Sequence, residues 1–224
     1  MDIRAVIFDL DGTLIDTAPD LAHATNHVLA RCGRRAVGLD EVRVMVGHGA
    51  RALIARGFAA TGAPVTAEEL ESLYDEFVEH YEANIALDSQ LFPGTVELLV
   101  RCRLAGLKLG VCTNKLERLS RKLIEAMGVD FYFGAIVGSD TLGIFKPDAR
   151  PYRETLRQLG VNGGTSIFFG DSETDVLTAR AAGVPMIGVT FGYTDRPIAE
   201  LEPDYVAHHF DDVWPMIEQA SLHP

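Results

Sequence analysis

The segment Ile3-Arg4-Ala5-Val6-Ile7-Phe8-Asp9-Leu10-Asp11-Gly12-Thr13-Leu14 decides the fold of this chain. Its first six residues are almost wholly apolar and rich in β-branched side chains, which predicts a strand buried on both faces of a parallel sheet. The strand ends at Asp9, and the ligands of open parallel sheets bind in the crevice beyond the carboxyl ends of the strands. We therefore expect Asp9 and Asp11 to face a ligand. An isolated Asp-x-Asp-Gly also fits two loop carboxylates and an ordinary turn glycine.

Composition and charge narrow the choice of partner. The chain has 224 residues, of which 47% are hydrophobic and 23% charged, and this balance predicts a soluble globular protein with one main domain and an insertion. The net charge of -12 argues against nucleic acid and anionic membranes as partners, because both require a basic surface. An acidic protein that binds phosphate must also make the electrostatic potential positive at the binding site, with a metal ion, a lysine or backbone N–H groups.

The cysteines and the N-terminus indicate the compartment. Cys32, Cys102 and Cys112 have the spacing of neither a disulfide framework nor a zinc site, so we predict three buried, small apolar side chains. The sequence has no basic-then-apolar leader and no apolar run of membrane-spanning length. These observations predict a cytoplasmic protein.

A helical insertion is predicted directly after the first strand. Thr17-Ala18-Pro19-Asp20 is typical of a helix start, with a hydroxyl cap and an early proline, and Gly33 is typical of a helix end. Thr66-Ala67-Glu68-Glu69 fits a capping box ahead of a later helix. We predict a small all-helical cap domain at residues 18–85. Four apolar residues of the later helix are attributed to packing in the cap: Leu70, Leu73, Phe77 and Tyr81.

From Pro93-Gly94 onward, helical and strand patterns alternate, which is the signature of βαβ units. The predicted helices lie near 95–105, 117–127, 149–159 and 175–182. The predicted strands are 107–112, 135–137, 166–169 and 186–189, with a last strand and helix from Tyr205 onward at the sheet edge. Residues 1–17 and 86–224 are therefore predicted to form an α/β core domain with a doubly wound parallel sheet of the Rossmann-like kind.

Polar groups follow four of these strands: Asp9 and Asp11, Thr113-Asn114-Lys115, Lys146, and the pair Asp171 and Asp175. The carboxyl ends of parallel strands meet at one edge of the sheet, so we expect these groups to converge. Together they supply a nucleophile and positive charge around the phosphoryl oxygens, as phosphoryl transfer requires. Asp9 is the predicted nucleophile, which would form an aspartyl-phosphate. Asp11 is the predicted acid and base, which protonates the leaving oxygen and later deprotonates water.

The segment Gly170-Asp171-Ser172-Glu173-Thr174-Asp175 indicates a metal site, because acidic groups just past an apolar strand suit a hard cation. We expect Mg²⁺, held by the side chains of Asp9 and Asp171 and by the backbone carbonyl of Asp11. Asp175 is then a supporting carboxylate, which either contacts a ligand of the metal or is itself an outer ligand. The alternative is that Asp171 and Asp175 only favour the N-terminus of the next helix.

Two further groups are predicted to act on the phosphate. The Thr113 hydroxyl and the N–H groups after it suit a phosphoryl oxygen, and Asn114 and Lys115 belong to the predicted substrate site. Lys146 is predicted to supply a fixed positive charge that orients Asp9 against the phosphate. The alternatives are ordinary, since a threonine is common at a strand end and a lysine before proline is usually solvated.

In these four motifs and their order, the chain resembles the haloacid dehalogenase-like hydrolases over nearly its full length. The resemblance implies the same roles for Asp9 and Asp11, and Lys146 stands where the family has its lysine. The second aspartate indicates phosphate chemistry, because the dehalogenases of the family lack it. The insertion matches the helical cap of the phosphoglycolate phosphatase and β-phosphoglucomutase branch. Thr113-Asn114-Lys115 and Val46-Gly47-His48-Gly49-Ala50-Arg51 resemble the phosphoglycolate phosphatases in particular, although Leu116 stands where that branch often has proline.

The cap is expected to select the substrate. Gly47-His48-Gly49 predicts a flexible loop that dips into the site, so that His48 or Arg51 contacts the substrate, for example at a carboxylate. The alternative is an exposed loop with Arg51 in solvent. His23 and His27 have a spacing that can bind a metal, but we expect an ordinary helix face there. His208-His209 is expected at the surface.

The predicted function is magnesium-dependent hydrolysis of a small phosphomonoester, with 2-phosphoglycolate as the favoured substrate. A phosphomutase would use the same phosphoaspartate but transfer the phosphoryl group to a sugar hydroxyl. A non-catalytic protein that binds a phosphorylated metabolite is the third possibility, because a fold does not determine a function. The predicted partner is a small-molecule phosphate ester, without nucleic acid or membrane, and the chain is predicted to be a monomer or a homodimer.

Overall fold

The computed structural model describes residues 3–161, 166–194 and 196–222. Its strands are, in chain order, β1 (Ala5–Phe8), β2 (Ile15–Asp16), β3 (Gln90–Leu91), β4 (Lys108–Cys112), β5 (Ala135–Val137), β6 (Ser166–Gly170), β7 (Met186–Val189) and β8 (Tyr205–Ala207). Its helices are α1 (Ala18–Arg31), α2 (Leu39–Arg43), α3 (Ala50–Thr61), α4 (Ala67–Ala83), α5 (Thr95–Leu104), α6 (Glu117–Ala126), α7 (Ala149–Leu159), α8 (Glu173–Ala182) and α9 (Val213–Leu222). No helix in the described ranges has both the length and the apolar content needed to cross a bilayer.

Six strands form one parallel sheet in the order β5-β4-β1-β6-β7-β8, so β1 lies in its interior. Ala5 of β1 is level with Lys108 of β4 on one side and with Ser166 of β6 on the other. Parallel strands need crossover connections that cover both faces of the sheet, which explains why every residue of β1 is buried. The predicted α/β sheet is confirmed, including the last strand at its edge.

The sheet separates two apolar layers. On one face, Phe8 and Phe169 pack with their ring centroids 5.0 Å apart. On the other face, Phe168 packs against Tyr152 of α7, with the ring centroids 5.1 Å apart. All four rings are fully buried. Truncating such a ring to alanine costs about 3–5 kcal/mol, so the strand ends that carry the polar groups rest on a tightly packed core.

Helices α1–α4 lie between β2 and β3, and α1 packs against the other three. The predicted capping box forms at the start of α4, where the Glu69 N–H donates to Thr66 Oγ1 at 3.2 Å and the Thr66 N–H to Glu69 Oε2 at 2.9 Å. The predicted apolar stripe of α4 packs inward, with its last two members buried: Leu70, Leu73, Phe77 and Tyr81. The structure thus has four helices within residues 18–85, and the domain boundaries themselves stay a prediction.

The two segments that connect the cap helices with the sheet pair as the antiparallel strands β2 and β3. Strands of two residues are too short to produce a periodic pattern, which is why the sequence analysis does not predict them. The Asp20 carboxylate of α1 binds the second segment. It accepts from the backbone N–H of Ser89 at 3.0 Å and from the Ser89 hydroxyl at 2.6 Å. The connection is therefore a paired ribbon rather than two separate loops.

Two details of the sequence analysis are wrong. Cys32 is exposed, because it stands just after the last turn of α1, whereas Cys102 and Cys112 are buried as predicted. Helix α8 begins at Glu173, two residues earlier than predicted. The reason is a capping interaction, in which the Asp175 carboxylate accepts from the N–H and the hydroxyl of Ser172.

Candidate active site

The polar residues predicted from four strand ends meet at the carboxyl edge of the sheet. Asp9 follows β1, Thr113 follows β4 and Asp171 follows β6, and these three strands are neighbours in the sheet. Lys146 lies in the loop between β5 and α7. All four residues are buried. The parallel topology therefore brings together groups that are far apart in the chain.

A buried lysine joins two carboxylates at the centre of the site. Lys146 Nζ lies 2.9 Å from Asp9 Oδ1 and donates to Asp175 Oδ1 at 2.6 Å. Burial alone would lower the pKa of Lys146, but Asp175 and Asp9 hold this pKa above its ordinary value, so the lysine stays charged. Burial raises the pKa of Asp9 to about 6, although Lys146 opposes the shift. Lys146 therefore fixes one oxygen of the predicted nucleophile.

Asn114 holds the loop that carries Lys146. Its Oδ1 accepts from the backbone N–H of Lys146 at 2.8 Å, and its Nδ2 donates to the Lys146 carbonyl at 3.1 Å. The same Nδ2 donates to the carbonyl of Gly47, in the cap loop, at 3.3 Å. One amide thus joins the lysine loop to the cap loop. Its predicted contact with substrate stays a prediction.

Asp9, Asp171 and Asp175 form a cluster in which one carboxylate oxygen of each residue lies within 4.8 Å of the other two. Burial and the two neighbouring carboxylates raise the pKa of Asp171 well above its ordinary value. Thr13 Oγ1 donates to Asp171 Oδ1 at 2.8 Å, and the Tyr193 N–H donates to Asp171 Oδ2 at 2.6 Å. Buried carboxylate oxygens with an excess of negative charge fit a divalent cation. The cluster therefore suits a metal ion between Asp9 and Asp171.

Asp175 has a different part in this cluster. Its Oδ1 accepts from Lys146, and its Oδ2 accepts from the Ser172 hydroxyl at 2.6 Å and from the N–H groups of Asp171 and Ser172. Both oxygens are engaged by protein donors, which favours a supporting position over direct contact with a metal. Asp175 also holds Lys146, so its contacts extend beyond the start of α8.

Two glycines allow the neighbouring loops to approach Asp171. A Cβ at Gly12, where φ is +83°, would lie 2.4 Å from Asp171 Oδ2. A Cβ at Gly192 would lie 2.2 Å from the Asp171 Cβ. Both distances are far below van der Waals contact, so no larger residue fits at either position without moving Asp171. The glycine of the first motif is thus required by the acidic cluster.

Asp11 lines the cavity and is paired with a lysine. Lys115 Nζ donates to the two Asp11 oxygens at 2.8 and 3.0 Å, and Thr17 Oγ1 donates to Asp11 Oδ1 at 2.7 Å. The same ammonium lies 4.5 Å from the ring centroid of Tyr81 in α4. Asp11 therefore contacts a core loop and the segment that enters the cap. Its contact with a metal through the backbone carbonyl stays a prediction.

A cavity of about 530 Å³ lies between the cap helices and the sheet edge. The predicted residues that line it come from both sides: Asp9, Asp11, Thr113, Asn114, Lys115, His48 and Arg51. Arg51 Nε and Nη2 each donate to Glu71 at 2.8 Å, and the guanidinium lies 3.6 Å from the Tyr74 ring centroid. Arg51 is thus an exposed residue at the cavity wall that is paired with Glu71. Contact of Arg51 or His48 with substrate stays a prediction.

His23, His27 and His80 are not among the residues that line this cavity. His27 Nε2 lies 2.9 Å from Glu76 Oε1, and its ring stacks on His80 with the centroids 4.0 Å apart. His23 lies 3.8 Å from Asp20 and 3.7 Å from Asp88, in a group whose oxygens and nitrogen lie within 4.8 Å of one another. The Asp20 carboxylate already accepts from the segment before β3, so this group has an ordinary structural explanation. The predicted surface pair His208-His209 is exposed.

Tyr193 is a residue of the site that sequence reasoning missed. Its N–H binds Asp171, and its hydroxyl accepts from the Ala18 N–H at 2.9 Å and donates to Asp16. Asp16 accepts from Arg43 of α2 at 3.2 Å. Tyr193 thus links the acidic cluster to the chain that enters the cap. Its two hydroxyl partners lie 175 and 177 residues away in the sequence, so no local pattern marks it.

Comparison with known proteins identifies the family that the sequence motifs resemble. Residues 6–189 match the family described as haloacid dehalogenase-like hydrolase. The chain is 47% identical over 208 residues to a phosphoglycolate phosphatase of Caulobacter vibrioides, covering 93% of this chain and 88% of the relative. It is 46% identical over 206 residues to a phosphoglycolate phosphatase of Mesorhizobium japonicum, covering 92% and 91%. A crystal structure of a predicted phosphoglycolate phosphatase from Haemophilus somnus 129PT aligns with a TM-score of 0.90 and 29% identity, over 96% of this chain and 98% of that one.

The chain therefore belongs to the haloacid dehalogenase-like hydrolases, the class that its parallel sheet and the aspartates after β1 define. Within that family it falls in the branch that resembles the phosphoglycolate phosphatases. It is a phosphoric monoester hydrolase.

Proposed function

We propose that this protein hydrolyses 2-phosphoglycolate to glycolate and inorganic phosphate, in a Mg²⁺-dependent reaction through an aspartyl-phosphate on Asp9. The buried ion pair between Asp9 and Lys146 carries the proposal, because it holds a carboxylate at the wall of a cavity large enough for a small ester. The names of the Caulobacter vibrioides and Mesorhizobium japonicum relatives support the choice of substrate.

The first half of the reaction breaks the ester bond. Lys146 contacts Oδ1 of Asp9, so we expect Oδ2 to attack phosphorus and form the new P–O bond. The bond from phosphorus to the ester oxygen breaks, and that oxygen takes a proton from Asp11 to give the glycolate hydroxyl. The Lys146 ammonium and the Thr113 hydroxyl bind the phosphoryl oxygens during the transfer.

The second half restores the enzyme. Water attacks phosphorus, Asp11 takes a proton from that water, and the bond from phosphorus to Asp9 breaks to release inorganic phosphate. The proton that Asp11 gives to the leaving oxygen is thus replaced by one from water, and Asp9 is released as a carboxylate. Mg²⁺, held by Asp9, Asp171 and the backbone carbonyl of Asp11, would supply positive charge that stabilises the transferring phosphoryl group. Asp175 keeps Lys146 in position through its Oδ1.

Phosphate release from a panel of esters tests this proposal. The panel contains 2-phosphoglycolate and several sugar phosphates, each with Mg²⁺ and with EDTA, for the wild type and for Asp9→Asn. We expect release only with Mg²⁺, fastest from 2-phosphoglycolate, and no detectable release by Asp9→Asn. The matched control is Asp130→Asn at an exposed aspartate, which should keep wild-type release.

Other outcomes would contradict the proposal in different ways. Release in EDTA, or undiminished release by Asp9→Asn, would reject the mechanism. Phosphorus NMR of a hexose 1-phosphate incubated with the protein would show an isomerised sugar phosphate if the chain were a mutase. Phosphate binding without release from any ester would favour the non-catalytic alternative. The cytoplasmic location and the monomeric or homodimeric state stay predictions from the sequence.

A further inference from the structure

Two permanently charged cations line the cavity among the residues that the structure describes, Arg51 and Lys115. Arg51 gives two N–H groups to Glu71 at 2.8 Å each, and its side chain is 49% exposed. The Lys115 side chain is only 6% exposed and lies beside Asp11, which acts on the ester oxygen in the proposed function. Lys115 is thus buried beside a group that acts on the ester oxygen, whereas Arg51 is exposed and paired with Glu71.

The Lys115 ammonium lies between the Asp11 carboxylate and Tyr81. An ammonium has three N–H groups, and the two bonds to Asp11 use two of them. Burial lowers the pKa of Lys115, but the adjacent Asp11 carboxylate more than reverses this shift, so the pKa stays above its ordinary value and the side chain is charged. A buried ammonium at the cavity wall can also bind a carboxylate that a ligand brings into the cavity, through a charge-assisted hydrogen bond.

Tyr81 places a second donor next to Lys115. The Tyr81 ring centroid lies 4.5 Å from Lys115 Nζ, and Tyr81 lines the same cavity. Its hydroxyl is buried and has no acceptor for its proton among the residues that the structure describes. A buried donor without an acceptor is unfavourable, so this hydroxyl is suited to an acceptor that a ligand brings. The sequence analysis assigned Tyr81 only to packing in the cap.

We propose that Lys115 and Tyr81 bind the carboxylate that 2-phosphoglycolate carries one carbon from its ester oxygen, and thereby select this ester. The inference rests on the proposed function. Asp11 must come within about 2.6–3.2 Å of the ester oxygen to protonate it. Ordinary bond lengths put a carboxylate oxygen of this substrate roughly 3 Å from the same ester oxygen. Lys115, which is bonded to Asp11, is therefore within reach of that carboxylate, and the two carboxylate oxygens match the two donors.

The substrate amide, 2-phosphoglycolamide, isolates the carboxylate contact. It keeps the phosphate, the ester oxygen and the shape of 2-phosphoglycolate but carries no negative charge on the carbon side. Hydrogen bonds to charged groups contribute about 1.5–3 kcal/mol, so we expect wild-type kcat/KM for 2-phosphoglycolate to exceed that for the amide by about 10- to 100-fold. Both esters need Asp11, so any effect of Lys115 through Asp11 cancels in this ratio.

The experiment measures that ratio in five proteins: the wild type, Lys115→Met, Tyr81→Phe, Arg51→Ala and Lys122→Met. We expect the ratio to fall close to one in Lys115→Met and to fall by a smaller factor in Tyr81→Phe. Lys122 is an exposed lysine of α6, so Lys122→Met should keep the wild-type ratio. Where Lys115→Met is too unstable or too slow to assay, the ratio in Tyr81→Phe decides.

Three outcomes would overturn the inference. The first is a ratio of kcat/KM values that is the same in Lys115→Met as in the wild type. Where Lys115→Met cannot be assayed, the same ratio in Tyr81→Phe and the wild type has this meaning. The second is a ratio that is lost in Arg51→Ala and kept in Lys115→Met, which would assign the carboxylate to Arg51. The third is a wild-type ratio near one. The protein would then still be a phosphatase, but it would not prefer a substrate with a carboxylate. No phosphate release by the wild type from either ester would instead reject the proposed function itself.

Discussion

The core side and the cap side of the cavity hold their charges in different ways. On the core side, Lys146, Asp9 and Asp175 have side chains that are at most 9% exposed, and each charge is held by another buried charge. On the cap side, the side chains of Arg51 and Glu71 are 49% and 60% exposed. Solvent-exposed pairs contribute about 0–1 kcal/mol, whereas removal of one partner from a buried pair costs about 3–5 kcal/mol. The stability of the fold thus depends on the buried charges that act in bond breaking, whereas it depends little on Arg51.

Lys146→Met tests the core side and has the largest expected effect. The change leaves Asp9 and Asp175 buried without the cation between them, so protonation of Asp9 becomes more favourable and the nucleophile is lost. We expect kcat to fall by about 10²–10³-fold and the free energy of unfolding, measured with urea, to fall by about 3–5 kcal/mol. Lys122→Met is the matched control and should change neither quantity. A Lys146→Met protein with near wild-type kcat would remove the distinction between the two sides.

The acidic cluster makes the second prediction, which concerns pH and Mg²⁺. Burial raises the pKa of Asp9 from 3.8 to about 6, so between about pH 4 and pH 6 Asp9 is protonated to a greater extent in the folded, metal-free protein than in the unfolded chain. Stability that depends on Asp9 therefore falls as the pH rises through this window. Asp171, whose pKa is also raised by burial, acts in the same direction. Mg²⁺ needs the ionised carboxylates, so its affinity rises as these groups lose their protons.

Thermal unfolding with and without Mg²⁺ measures this dependence. We expect the rise in Tm caused by Mg²⁺ to be small at pH 5 and clearly larger at pH 7, because the cation offsets the repulsion between the ionised groups. Asp171→Asn removes one charge and one ligand, and most of the Mg²⁺-dependent rise should disappear. An equal rise at both pH values would contradict the involvement of carboxyl groups with raised pKa.

Tyr193→Phe tests the link between the two sides and has an intermediate expected effect. It removes the hydroxyl that contacts Asp16 and Ala18 but keeps the N–H that binds Asp171. We expect a loss of about 1–2 kcal/mol in the free energy of unfolding, with KM rising more than kcat falls, because the segment entering the cap is held less firmly. A double-mutant cycle with Arg43→Ala should be non-additive, since both residues bind Asp16. Additive effects would show that the two contacts act independently.

The core side follows closely from the sequence. A strand as apolar as β1 must be buried on both faces, and parallel topology then brings the ends of β1, β4 and β6 together. Asp9 and Asp171 were predicted on this ground alone. For Lys146, which follows no strand directly, the local signal was a lysine before proline. The resemblance to a family supplied the rest.

The side-chain contacts between different elements could not be predicted in the same way. Lys115 with Asp11, Arg51 with Glu71 and the bonds of Tyr193 join residues of different elements, and side-chain packing of the finished fold decides which pairs meet. Helical periodicity assigns a residue such as Tyr81 to an inward face but does not tell a packing role from a donor beside a ligand. The short strands β2 and β3 are likewise a result of tertiary pairing rather than of local propensity.

Arg51→Ala has the smallest expected effect and tests the cap side most sharply. Its partner Glu71 is exposed, so we expect the free energy of unfolding to change by no more than about 1 kcal/mol. Arg51 Nε and Nη2 both donate to Glu71, so kcat should stay near the wild-type value and KM for 2-phosphoglycolate should change by less than about 10-fold. Glu71→Gln is the matched variant, because it releases Arg51 without removing it. If Glu71→Gln lowers KM and Arg51→Ala raises it well beyond 10-fold, Arg51 exchanges Glu71 for the substrate, and the weakly held charge of the cap is then as important to binding as the buried charges of the core are to bond breaking.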